Sequence, residues 1–405
     1  MKKIALNLGI LLIVAAIAFF TFAPAYIDND MNVVDGKPLP EIRPEAQALH
    51  NTLTVVDLHS DTFLWKRDVL EGAERGHMDL PRLQKGNVAL QIFSSVTKTP
   101  TNQNYDNNSA DGDNITALVI GQLQPIRTWT SLLERSLWHA QKRDEATASS
   151  AGNFIAVDTN AQLARLLENR AAGASETVGA LLSIEGLHNL EGKAENLDVL
   201  YNAGFRMAGL THFFDNDLAG SMHGEEKGGL TPFGRDIVQR MEAKGMIVDI
   251  AHLSKKATAE VLALAKRPLV SSHGGVQATC DVNRNLTDEE IRGVAATGGV
   301  IGVGYWEGAV CDTSPEAIVT AMKHIRGLVG IEHIALGSDY DGTVTVRFDT
   351  AGLVHVTQEL MDEGFSEPEI RAVMGDNAIR VISQGLIPLS ELPVEASSED
   401  EDLAA

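Results

Sequence analysis

The chain reads as an α/β protein, a (β/α)8 TIM-type barrel, and three observations predict it. Eight short apolar runs bounded by turn residues follow one another, amphipathic stretches separate many of them, and six of the eight runs end in ionisable side chains. The runs are Thr54–Leu58, Val88–Ser94, Gly179–Ile184, Met207–Thr211, Met246–Ile250, Pro268–Ser271, Gly299–Gly304 and His333–Gly337. Between them, Pro232–Lys244 spaces Phe233, Ile237, Val238 and Met241 along a helical face. Lys255–Ala265, Asp288–Ala296 and Ser314–Val329 are further helical stretches. A count of eight favours a closed barrel over an open doubly wound sheet.

Two segments depart from the repeat. Thr97 to Asn160 holds the polar run NQNYDNNSADGDN and then a helical pattern with Trp129, Leu132, Leu133 and Trp138, which predicts a long insertion over about 97–160, after the second strand. The tail 391–405 contains ASSEDEDLAA and is expected to be disordered, being acidic and poor in apolar residues. A single barrel domain is expected over 31–390.

Residues 1–30 form a segment of a different kind. Lys2 and Lys3 precede an apolar run of 19 residues, Ile4 to Phe22, broken only by Asn7, Gly9 and Thr21. As a helix such a run spans about 28 Å, close to the apolar thickness of a bilayer. The segment is an export signal or an anchor. Its length favours an uncleaved anchor, while Ala23-Pro24-Ala25 resembles a cleavage site; either fate puts the barrel outside the cytoplasm, on a periplasmic or extracellular face. The two cysteines, Cys280 and Cys311, both fall in the exported part, where a disulfide and two buried thiols are alternative readings.

Acidic residues outnumber basic ones 55 to 33, a net charge of -22, so a nucleic-acid partner is excluded on electrostatic grounds. A small ligand or a cation suits that balance better.

A barrel places its functional groups at the C-terminal ends of its strands. There the sequence offers His59 and Asp61 after the first run, Glu185 after the third, His212 after the fourth, His252 after the fifth, His273 after the sixth, and Asp339 and Asp341 after the eighth. Residues i and i+2 of a strand share a face, so His59 and Asp61 reach toward one spot. Any one such histidine is ordinarily satisfied by a neighbouring carbonyl. Several imidazoles and carboxylates on one rim form the inventory of a two-metal hydrolase, because buried charge is costly unless it is paired or metal-bound.

In this order the residues resemble the membrane dipeptidases, also called renal dipeptidases, of peptidase family M19. The match runs from about Val55 to Gly342 through H-x-D, I-E-G, L-T-H, G-L-T-P-F-G-R, D-I-A-H-L-S, S-S-H, R-N-L-T-D and G-S-D-Y-D-G. The resemblance implies a barrel of the metal-dependent hydrolase kind that cleaves dipeptides, including those with a C-terminal D-residue. It implies two zinc ions per chain, one held by His59, Asp61 and Glu185 and the other by Glu185, His252 and His273, with Glu185 bridging. By the same match His212 contacts substrate and oxyanion, Arg284 binds the substrate carboxylate, and Asp339 handles protons. It further implies a Cys280–Cys311 disulfide, membrane attachment and a homodimer. Animal members are anchored by a C-terminal lipid; here any anchor is N-terminal.

The expected chemistry is attack by a metal-bridging hydroxide, available near neutral pH because two cations acidify the water between them. Asp341 is an alternative to Asp339 as the proton carrier, and Tyr305, just past the seventh run, is a further candidate for substrate contact or for packing at the barrel mouth. His188 and His223 are left outside the site. The competing function is another binuclear amidohydrolase acting on a non-peptide amide, lactone or ester. Such enzymes usually open with His-x-His and a bridging lysine, whereas this chain has His-x-Asp and Glu185.

Overall fold

The computed structural model describes residues 2–391. The tail expected over 391–405 lies, beyond Glu391, outside the described residues. All eight predicted strands form: β1 (Val55–Ser60), β2 (Val88–Phe93), β3 (Val178–Glu185), β4 (Phe205–Gly209), β5 (Ile247–Asp249), β6 (Val270–Ser271), β7 (Val300–Val303) and β8 (Ile334–Leu336). Each pairs in parallel with the next, and β8 pairs with β1 through Leu336 and Asp57, which closes the ring. A short strand at Phe154–Ala156 adds to the first half of β3, and Val33–Val34 pairs with Thr345–Val346 beyond β8.

Apolar residues from all eight strands, among them Val56, Leu90, Leu181, Met207, Ile247 and Val300, share one buried cluster with Val381 and Ile382 of the C-terminal helix Asn377–Gly385. The surrounding helices begin with designed-looking signals. Thr231 caps Pro232–Lys244 through the Gly234 amide, Ser254 caps Lys255–Leu264, and Thr287 with Glu290 forms a reciprocal capping box for Asp288–Ala296.

Strands β5 and β6 are shorter than predicted, and a buried carboxylate sits at the last paired residue of the β5–β6 ladder and of the β8–β1 ladder. Asp249 accepts from the Ala251 and Ser272 amides, and Asp57 accepts from the His59 and Ser338 amides. Side-chain oxygens therefore take the place of the next ladder partners, and the chain is free to turn where the rim residues begin.

The 97–160 region folds into helices Asn114–Gly121 and Leu132–Ser149 plus the short strand at Phe154–Ala156. The helix predicted from Trp129 onward starts later, at Leu132, because Ile126–Trp129 forms its own 3-10 turn and Ser131 caps the helix. Its Lys142 is half-buried, and desolvation holds its ammonium down at about 7; Nζ donates to the Phe63 and Trp65 carbonyls and so fixes the turn after Asp61.

The N-terminal helix covers Lys2–Met31, and Leu6–Met31 is long and apolar enough to cross a membrane, its most apolar stretch lying outside the core. Its end is nevertheless tied to the barrel. Asp28 is buried and pairs with Arg67 at 2.9 Å and Arg75 at 3.0 Å, and Arg67 also pairs with Asp341 at 2.7 Å.

Cys280 and Cys311 are bonded, 31 residues apart in sequence. The bridge ties the loop before Arg284 to the segment after Trp306. Loop-closure entropy gives it about 3–4 kcal/mol, so reduction is expected to lower the unfolding midpoint, and scanning calorimetry with and without reductant checks this. Acid should destabilise the fold in a defined window. His50 is buried between Thr357 and the Gly86 carbonyl, and burial lowers its pKa from 6.5 to about 4 despite that carbonyl. Between those values the unfolded chain binds more protons, so this contribution is present above about pH 6.5 and is lost as pH falls toward 4. Urea midpoints measured from pH 7 to 5 are expected to fall, with a shallower slope in His50→Gln.

Candidate metal centre and active site

The strand ends converge. His59, Glu185, His212, His252, His273, Asp61 and Asp339 are all buried at one mouth of the barrel. Glu185 lies at the centre: its Oε1 is 2.8 Å from His252 Nε2, 3.1 Å from His273 Nε2 and 3.5 Å from His212 Nε2, while its Oε2 is 3.6 Å from His59 Nε2. His59 Nε2 is also 3.7 Å from Asp61 Oδ1 and 3.8 Å from Asp339 Oδ1.

The donor set fits divalent cations. The ligand atoms of His59, Asp61 and Glu185 lie within 4.8 Å of one another, as do those of Glu185, His212 and His252 and those of His59, His273 and Asp339. His59 Nε2 and Asp61 Oδ1 are buried without a hydrogen-bond partner. Two imidazole Nε2 atoms, of His252 and His273, face each other at 3.1 Å, an arrangement suited to lone pairs converging on a cation.

The tautomer of His273 is set from behind. Ser272 Oγ donates to Asp249 and lies 2.8 Å from His273 Nδ1, so it can accept the Nδ1 proton and leave the Nε2 lone pair facing Glu185. This positioning pair was not among the residues singled out from sequence; the signal was the acid in DIAHLS and the serine beside the histidine in SSH.

Backbone strain also marks the rim. His252 has φ 65° and Asp339 φ 59°, left-handed conformations that cost a non-glycine residue about 1–3 kcal/mol. The His252 turn is held by its carbonyl, which accepts from Thr211 Oγ1 and the Met222 amide. Beside Asp339, a Cβ at Gly342 would lie 2.1 Å from Oδ1, so only glycine leaves that carboxylate in place.

Crowding shifts the titrations apart. Burial, then repulsion from Glu185, holds Asp61 well above the usual carboxylate range. Burial raises Asp339 to about 8, with His59 opposing. Glu185 stays ionised against burial because His212, His59, His252 and His273 surround it. His59 is pushed up to about 10 by Glu185, Asp61 and Asp339, which together outweigh its burial. Anionic oxygens in excess around one point are the electrostatics of a cation site.

A cavity of about 740 Å³ opens over the cluster, lined by Asp61, Glu185, His212, His252, Arg284 and Asp339. Arg284 is buried, donates to the His273 carbonyl at 2.8 Å and lies 5.7 Å from the Trp306 ring. Asp341 is not in the cavity wall. It is buried against Arg67, Thr62 Oγ1 and the His77 amide, so it fixes the loop on which Asp339 faces the cluster.

Of the two readings of Tyr305, substrate contact and packing, its surroundings fit packing. It is fully buried, packs on Tyr340 and Phe348, and does not line the cavity. Adjacent residues leaving a strand point opposite ways, and it is Trp306 that faces the cavity. Trp65 and Tyr105 also line it; Tyr105 comes from the insertion, where it is the one aromatic of the polar run, and its hydroxyl accepts from Trp306 Nε1 at 3.0 Å. His188 is held by Thr97 Oγ1, and His223 stacks on Phe213 behind His252.

A ring of imidazoles and carboxylates at the C-terminal mouth of a (β/α)8 barrel defines a metal-dependent barrel hydrolase. Comparison with known proteins narrows the class. The chain belongs to the membrane dipeptidase family, peptidase family M19, whose profile matches residues 43–386, and it is thereby a metallo-dipeptidase. Dipeptidase AclJ of Aspergillus oryzae is 28% identical over 361 residues, 82% of this chain and 79% of the relative. Among solved structures, an amidohydrolase from Pseudomonas aeruginosa superposes with a TM-score of 0.64 at 19% identity, over 84% of this chain and 99% of its own. A metallo peptidase from Rhodobacter sphaeroides, liganded with a phosphinate mimic of L-Ala-D-Ala, gives 0.62 at 22% identity, over 82% and 99%. These two share the fold.

Removing the Ser272 hydroxyl should weaken metal binding without unfolding the barrel. Outer hydrogen bonds to a ligating histidine are typically worth 10- to 100-fold in affinity. Ser272→Ala is expected to lose its bound metal to a competing chelator at about tenfold lower chelator concentration, read by metal analysis of the desalted protein, with an unchanged thermal midpoint in excess metal.

Proposed function

We propose that this protein is an exported, membrane-anchored zinc dipeptidase in which Glu185 is shared between two ions. The observation that carries the reading is the split of Glu185: one oxygen faces His252 and His273, the other faces His59. His59, Asp61 and Glu185 would hold one ion, and Glu185, His252 and His273 the other. Bound zinc supplies Lewis-acid polarisation of the scissile carbonyl and acidifies water, so that hydroxide is available near neutral pH.

The protein's own groups do the rest. Arg284 offers a fixed, permanently charged fork to the terminal carboxylate of a dipeptide, with Trp306 covering its face. Anchoring that carboxylate beside the cluster restricts substrates to short peptides. His212, facing the cavity at 3.5 Å from Glu185, donates a hydrogen bond to the oxygen that becomes negative during attack. Asp339 takes the proton released by the attacking water and gives it to the departing amine nitrogen, ending as it began. A D-configured second residue is included in the proposal because the Rhodobacter relative in the fold comparison carries an L-Ala-D-Ala mimic. The barrel over 31–390 acts as one catalytic unit in this reading.

The test uses the full chain in detergent. About two zinc ions per chain and hydrolysis of L-Ala-L-Ala and L-Ala-D-Ala are expected, by metal analysis and amine release. Asp339→Asn should retain metal while kcat falls by at least about 10²-fold, the lower range for a lost acid–base group. Loss of metal together with activity in that variant would make Asp339 a ligand instead of a proton carrier, and metal without dipeptide cleavage would overturn the substrate assignment.

A further inference from the structure

The cavity over the cluster has a wall that the barrel does not supply. Phe19, Ala23, Ile27 and Met31 of the N-terminal helix line it together with Asp61, Glu185 and Asp339. These four residues recur every four positions, which puts them on one helical face running about 18 Å. Against it packs Asn114–Gly121 of the insertion, whose Ile115 and Leu118 also face the cavity.

The wall is fixed in place. Asp28, on the adjoining turn, is buried in its pairs with Arg67 and Arg75, and Arg67 reaches on to Asp341 in the loop that carries Asp339. After the helix ends, the Val33 amide donates to the Val344 carbonyl and Val33–Val34 pairs with Thr345–Val346, continuing from that same loop. The helix end and the catalytic loop therefore form one body.

Phe19 belongs to two settings at once. It lines the cavity, and it lies inside the apolar run Ile4–Phe22 that is long enough to sit in a bilayer. The cavity is thus continuous from the buried carboxylates of the active site to the side of a helix long and apolar enough to span a membrane.

We propose that the cavity is a portal from the bilayer and that the preferred substrates are amphiphilic dipeptides. The polar dipeptide head reaches Glu185 and Asp339, and a long apolar substituent on the N-terminal residue lies along the Phe19–Met31 face. This rests on the dipeptidase reading and specifies its substrate class. A water-borne dipeptide with short side chains leaves the apolar wall uncovered; an alkyl chain of several methylenes covers it.

The experiment uses the full-length, zinc-loaded chain in lipid nanodiscs. Alanyl-alanine is compared with 2-aminohexanoyl-alanine and 2-aminodecanoyl-alanine in both configurations of the second residue. The ratio of kcat/KM for the decanoyl member to that for alanyl-alanine is expected to be at least about tenfold, the scale of burying a few methylenes. Calorimetry on the metal-free protein should show the same order in dissociation constants. Phe19→Ser and Ile27→Asn, both at exposed positions, should each bring the ratio down toward one. A flat series in the native chain, with alanyl-alanine cleaved, overturns the portal and leaves the dipeptidase reading standing. A rising series that neither variant reduces also overturns it. Failure to cleave any member, with zinc bound, overturns the dipeptidase reading itself.

Discussion

Everything at the mouth of this barrel is organised around one carboxylate. Glu185 closes β3 and is met by four imidazoles from four other strand ends, three on one oxygen and His59 on the other. A buried anion with that many neighbours cannot move without leaving several polar groups unpartnered, each at a cost of about 1–3 kcal/mol. Its position therefore constrains the ends of β1, β4, β5 and β6 together. The left-handed turn at His252 is a local cost that this convergence sustains.

Below Glu185 lies a quieter tier that makes the convergence reproducible. Asp57 and Asp249 are neither ligands nor proton carriers in the proposed chemistry. They terminate the strand ladders by accepting amides, and they orient Ser338 and Ser272, which in turn reach toward the rim. The barrel thus ends in side-chain hydrogen bonds and not in loose loop backbone, which is how short strands such as the two-residue β6 still aim their residues well.

Much of this was legible in the sequence because it is written in local patterns. Apolar runs at regular spacing gave eight strands in the right order, and the residues following them gave the rim, since a strand end fixes which side chains meet the mouth. What the runs could not give was anything that depends on contacts distant along the chain. Asp341 and Asp339 are alike in GSDYDG, and only the approach of Arg67, Thr62 and His77 separates the structural acid from the one facing the cavity. Tyr305 and Trp306 are adjacent aromatics, and which of them faces the cavity depends on the pleat at the end of β7. Tyr105 lies in a polar run that carries no periodic signal, and its place over Trp306 follows from how the whole insertion folds back.

The ion pair of Asp28 with Arg67 has a consequence for any processing of the N-terminal segment. Asp28 lies three residues beyond Ala25, so a cut at that small-residue site would release the membrane segment and still leave the latch on the mature protein. The shed form would keep the loop of Asp339 braced and would lose Phe19 and Ala23 from the wall. One gene product could then exist as two enzymes with the same catalytic centre, one drawing its substrates from a lipid phase and the other from solution, with a single proteolytic event deciding between them.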